Sequence, residues 1–156
     1  MNRITALAAT AALTAGLAAG CGDDSEEETP QACLGTAVEY RQALAAAPGD
    51  VALADGTAIS DCLRAEQTSG ELAQTGEVMI ATATDLNADA RTDPTGSAAV
   101  QLGFLVGAIE RGADSIHADL VRRVNSAARF SPGGGVQPPE FERTFGQGYS
   151  SGLESG

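Results

Sequence analysis

TSGELAQTGEVMIATATDLNADA, residues 68–90, decides the fold class. Thr68-x-x-Glu71 has the form of a capping box, in which the threonine hydroxyl takes a first-turn backbone N–H and the glutamate reaches back to the threonine N–H. Leu72, Gly76, Met79, Ala83, Leu86 and Ala90 then alternate steps of four and three. A stripe this long and narrow predicts an amphipathic helix with one face set against other helices.

Beyond it, Asp93-Pro94 reads as a cap and first-turn proline, opening a helix whose stretch Ala98–Ile109 is apolar except for Gln101. A segment apolar on every side belongs at the centre of a bundle, and 12 residues are too few to cross a bilayer. Gly103-x-x-x-Gly107 on this segment permits close approach of another helix, either within the bundle or across a dimer face. Asp114 suits the cap of a further helix with Ile116, Leu120, Val124 and Ala127 as its stripe, ending near Phe130.

On the other side, Pro30 fits a first helical position, and Cys33, Ala37, Tyr40, Leu44 and Ala47 draw a stripe that stops at Pro48-Gly49. After a loop at Asp50–Gly56, Ile59, Cys62 and Leu63 mark a shorter helix ending near Gln67. The expectation is an all-α bundle of four to five helices over residues 31–130. From Ser131 the composition shifts to Gly, Pro, Ser and Gln, with Gly133-Gly134-Gly135 and Pro138-Pro139 as breakers. Residues 131–156 are therefore predicted to be a mostly irregular tail, in which Phe141 and Phe145 suit one short docked turn.

The first 30 residues are organised differently. Met1-Asn2-Arg3 is a short positive segment, and Ile4–Ala19 follow with apolar and small residues and no charge until Asp23, the profile of an export signal. Leu17-Ala18-Ala19-Gly20-Cys21 resembles the lipobox of bacterial lipoproteins, with Ala18 an accepted variant at the position most often Leu. The resemblance implies that residues 1–20 are removed as a lipoprotein signal peptide. It implies too that Cys21 receives a diacylglyceryl group and acyl chains such as palmitate, leaving the domain on the extracytoplasmic face of the cell membrane. Multiple acyl chains hold a protein on a bilayer almost permanently. Residues 21–30, with Asp23, Asp24, Glu26, Glu27 and Glu28 and no apolar run to bury, read as an extended acidic tether.

With Cys21 lipidated, Cys33 and Cys62 remain in an oxidising setting where only one intramolecular pairing exists. A Cys33–Cys62 disulfide is expected, contributing about 3–4 kcal/mol through loop closure. It would join the first two helices as a hairpin.

Composition narrows the function classes. Hydrophobic residues make up 43% of the chain, with alanine their largest part, and aromatics only 4%, so the core must come from closely packed helices and leaves little room for a deep ligand cavity. The net charge of −12 becomes −13 once Arg3 is lost with the signal, and only Arg122-Arg123 pairs two basic residues, so nucleic acid is not an expected partner. That pair could touch anionic headgroups near the anchor. There is no lysine, which excludes chemistry that depends on one.

Asp85-x-Asn87-x-Asp89, followed by Asp93, spaces oxygen ligands as an EF-hand-like loop does, although Ala90 replaces its turn glycine and Gly96 its bidentate glutamate. These four are the candidate divalent-cation ligands. Gly148-Tyr149-Ser150-Ser151-Gly152 has the letters of a nucleophile elbow, but that motif needs a strand–turn–helix context and a histidine after the serine, whereas His117 precedes it. His117, beside Asp114 and Asp119, reads as a surface or capping histidine. No cofactor and no catalytic constellation is implied. The sequence points to a lipid-anchored, non-catalytic interaction or structural module with an envelope protein as partner, the alternative being a small-ligand or divalent-cation binding lipoprotein.

Overall fold

A computed structural model describes residues 28–131 and 136–156. The segments read as signal peptide (residues 1–20) and acidic tether (residues 21–30), with Cys21, lie outside the described residues except for residues 28–30. The fold is all-α, with helices α1 (Ala37–Leu44), α2 (Ser69–Thr92), α3 (Ser97–Gly112), α4 (Ala118–Ala127) and α5 (Pro139–Ser155), plus 3-10 turns at Gln31–Leu34, Ile59–Cys62 and Ser115–His117. Among the described residues no helix is long and apolar enough to cross a membrane.

The capping box of α2 forms as its sequence specifies: Glu71 accepts from the Thr68 N–H at 3.0 Å, and the Glu71 N–H donates to the Thr68 hydroxyl at 3.3 Å. Met79, Ala83, Leu86 and Ala90 are buried along its stripe. α3 is central, and every side chain from Leu102 to Ile109 is buried. It starts later than expected. Asp93 ends α2, and its carboxylate folds back on the Thr95 N–H at 3.2 Å and hydroxyl at 2.9 Å, making a tight turn before Ser97.

The expected first helix is divided. Cys33 lies in the 3-10 turn, and a second capping box of Thr36 and Glu39 begins α1 afresh after Gly35. The stripe survives the division, because Cys33, Tyr40 and Leu44 are all fully buried. The expected second helix is only the turn Ile59–Cys62, after which the chain turns extended at Leu63. The Cys33–Cys62 disulfide is present, with Cα atoms 5.4 Å apart, and therefore joins two 3-10 turns instead of a helical hairpin. On the segment before α4, the turn Ser115–His117 shifts the phase of the stripe: Ile116 is 43% exposed and His117 is buried in its place.

The largest correction concerns the tail. Residues 139–155 form α5, with Pro139 in the first turn, where its missing N–H costs nothing. The glycines that read as breakers are what seat the helix. A Cβ on Gly103 would collide with the Phe145 carbonyl and stand 2.8 Å from the Tyr149 nitrogen, and one on Gly107 would collide with the Tyr149 carbonyl. Reciprocally, Gly148 faces the Val100 carbonyl and Gly152 the Phe104 carbonyl. Residue numbers ascend together on both helices, so α5 runs parallel to α3 in backbone contact. Arg111 closes the arrangement by donating to the carbonyls of Leu153 at 2.9 Å and Glu154 at 2.6 Å. Phe130, Phe141, Phe145 and Tyr149 pack in series along this edge, with ring centroids 4.7, 5.6 and 6.2 Å apart, the first two pairs tilted and the last stacked.

Candidate functional site

The chain enters the fold at Thr29, the first buried side chain of the described residues. Its N–H donates to Glu71 at 3.4 Å and its hydroxyl accepts from the Gln67 amide at 2.9 Å. The same amide nitrogen donates to the Cys62 carbonyl at 2.9 Å. A carbonyl can only accept, so this contact fixes the amide orientation and turns the Gln67 oxygen towards His117, whose Nε2 lies 3.2 Å away. His117 Nε2 therefore carries the proton, and Nδ1 is bare to accept the Asp114 N–H at 2.9 Å. One neutral imidazole thus links, through Gln67, the cap before α4, the disulfide turn and Thr29.

Burial pushes His117 below its ordinary pKa of 6.5, and the Asp114 carboxylate offsets part of that shift. The unfolded chain consequently takes up the proton more readily than the folded one. Stability is complete above the unfolded value near 6.5 and falls as the pH drops below it. Urea unfolding measured from about pH 7.5 to about pH 5 should show a decline that His117→Gln reduces. An unchanged slope in the variant would remove His117 from this role.

The four candidate cation ligands are not brought together. Asn87 is buried and its amide donates to the carbonyls of Ala127 at 2.6 Å and Arg129 at 2.8 Å, closing the end of α4. Asp89 pairs with Arg41 at 2.6 Å, and Asp93 holds its own turn. Helical spacing turns Asn87 away from the other three, and although Asp85, Asp89 and Asp93 are four apart on one face, Asp89 faces the Arg41 guanidinium and Asp93 is held by Thr95. Among the described residues no group of three or more His, Cys, Asp or Glu side chains is placed to hold a metal ion. Ser150 lies exposed on helix α5, and both nitrogens of His117 are committed elsewhere, so these two do not form a catalytic pair. Arg122 pairs with Asp119, and Arg123 is exposed beside it.

What the sequence did not reveal is a groove of about 660 Å³ beside the entry point. Its floor is Ala32, Ala43 and Leu53, and its rim carries Gln31, Glu39, Gln42 and Asp55. Leu53 comes from a segment read as loop. There Val51 and Leu53 are buried while Ala52 and Ala54 are exposed, and the loop closes in a tight turn in which the Gly56 N–H donates to the Leu53 carbonyl at 2.9 Å and the Leu53 N–H to the Thr57 carbonyl at 2.9 Å. Compared with known protein families, with characterised proteins and with solved structures, the chain matches none.

Proposed function

We propose that this chain is an exported, lipid-anchored interaction module: Cys21 holds it on the outer face of the cytoplasmic membrane, and the helical domain presents a binding surface to an envelope protein without catalysing a reaction. The join between tether and fold carries this reading. Thr29 is buried and hydrogen-bonded only eight residues after the lipobox cysteine. Eight residues reach about 28 Å at full extension, so a lipid on Cys21 would keep the domain within one small-domain diameter of the bilayer. The disulfide and the Gln67–His117 contacts reinforce the same end of the fold, as suits a point where an anchored chain is pulled.

His117 supports the non-catalytic part of this reading, because both of its ring nitrogens hold structure: Nδ1 accepts the Asp114 N–H and Nε2 faces the Gln67 oxygen. The test is cell fractionation combined with protease treatment of intact cells. The wild-type chain is expected in the membrane fraction and open to external protease, and Cys21→Ala in the soluble or leader-bearing fraction. A wild-type chain protected inside the cytoplasm would overturn the proposal.

A further inference from the structure

We propose that the groove between α1 and the 52–55 segment docks a basic, apolar-flanked peptide segment of a partner protein. This deepens the interaction reading and shares its premise of a protein partner, but it makes no use of where the chain is anchored. The groove has two chemical parts. Its floor of Ala32, Ala43 and Leu53 offers shallow apolar contact suited to aliphatic side chains. Its rim offers the Glu39 and Asp55 carboxylates and the Gln31 and Gln42 amides.

Both carboxylates are held by geometry. Glu39 accepts from the Thr36 N–H at 2.7 Å and hydroxyl at 2.9 Å, and Asp55 accepts from the Thr57 N–H at 3.0 Å. These contacts keep each group below its ordinary pKa, so both are ionised at neutral pH, and each retains lone pairs for an incoming cation. Gly35 lines the same wall, and a Cβ there would stand 2.7 Å from a Glu39 oxygen, so the glycine leaves that carboxylate open from the groove.

Charge complementarity selects the occupant. Residues 28–63 contain five acidic side chains and one basic, Arg41, and Arg41 is turned away from the groove to pair with Asp89 on α2, so the rim charge of Glu39 and Asp55 has no cation of its own segment beside it. An acidic partner would be repelled and a purely apolar one would leave the rim carboxylates facing nothing, whereas lysines or arginines alternating with aliphatic residues satisfy both parts. Such an arrangement steers association and depends on salt.

The test uses the full chain in non-ionic detergent, with micelles alone as the blank, and a fluorescent hexapeptide amide of alternating leucine and lysine as the probe. Glu39→Gln and Asp55→Asn together remove both charges while keeping side chains that can still make the cap and the turn. The proposal expects saturable binding that this pair weakens about tenfold, as two partly exposed ion pairs would. Glu140→Gln with Glu142→Gln, an equal loss of charge on the exposed first turn of α5, should leave binding within about twofold. Equal weakening by both pairs would reduce the effect to diffuse attraction and overturn the site. Failure to saturate, equal binding of a leucine–glutamate peptide, or self-association of the chain that the Glu39 and Asp55 changes abolish without any peptide binding would each overturn it as well. None of these outcomes alters where the protein fractionates, so this inference can fail while the anchoring proposal stands.

Discussion

Gly148→Leu should destabilise the fold by about 3 kcal/mol or more and free α5 from α3. The glycine faces the Val100 carbonyl and lies where any Cβ would stand 2.9 Å from the Phe104 nitrogen, so the obstruction is backbone on both counts and cannot be relieved by a rotamer change. α5 would have to lift away along its length, withdrawing Phe141 from the core and leaving the apolar face of α3 open to water. Gly146, two residues earlier on the same helix, meets nothing within 4 Å of an added Cβ. Gly146→Ala should therefore stabilise by about 0.5–1 kcal/mol through helix propensity alone. Thermal unfolding followed by circular dichroism reads both. The opposite signs within one turn are the discriminating result, and a tolerated leucine at 148 would mean that α5 is not seated as described.

Removing the disulfide should cost about 3–4 kcal/mol, from the loop-closure entropy of a 29-residue separation, with a fall in Tm of about 10–15 °C. Reduction with the cysteines retained is the cleaner experiment, because substitution also perturbs two fully buried positions. The loss should be concentrated at the end of the fold that holds Thr29 and the two 3-10 turns. The Tyr40 hydroxyl donates to the Cys33 carbonyl at 3.1 Å and Gln67 to the Cys62 carbonyl, so both partners of the bond also hold its surroundings. Hydrogen exchange should show amides of residues 31–44 opening on reduction while the α3–α5 contact stays protected. Uniform loss across the domain would assign the bond a global role instead.

How much of this was legible depended on which physical signal each segment carried. α2 could be read closely because capping box, periodicity and length agree over 24 residues. The disulfide followed from counting cysteines once Cys21 was set aside. α1 was misread in extent, because a continuous apolar stripe is equally compatible with a helix and with a 3-10 turn followed by a fresh cap, and Thr36-x-x-Glu39 was the overlooked signal.

α5 was missed for a tertiary reason. Gly148 and Gly152 lower intrinsic helix propensity, and only the facing Gly103 and Gly107 turn that weakness into close packing. The two halves lie about 45 residues apart in the chain, outside any local pattern. The letters G-x-S-x-G and G-x-x-x-G coincide at residues 148–152, and the helical setting decides between them. The groove was invisible because alanines supply most of its floor, and alanine carries little signal of which way it faces. His117 was read correctly as a capping contact and incorrectly as a possible surface residue, since its burial depends on Gln67, 50 residues away.

Whether the chain works as a lipid-anchored module is decided by the mass of the N-terminal peptide of the protein isolated from its own membranes. The expected chain begins at Cys21, with residues 1–20 absent and a diacylglyceryl group on the cysteine sulfur. A chain that begins at Met1, or one that carries Cys21 with an unmodified thiol, would contradict it.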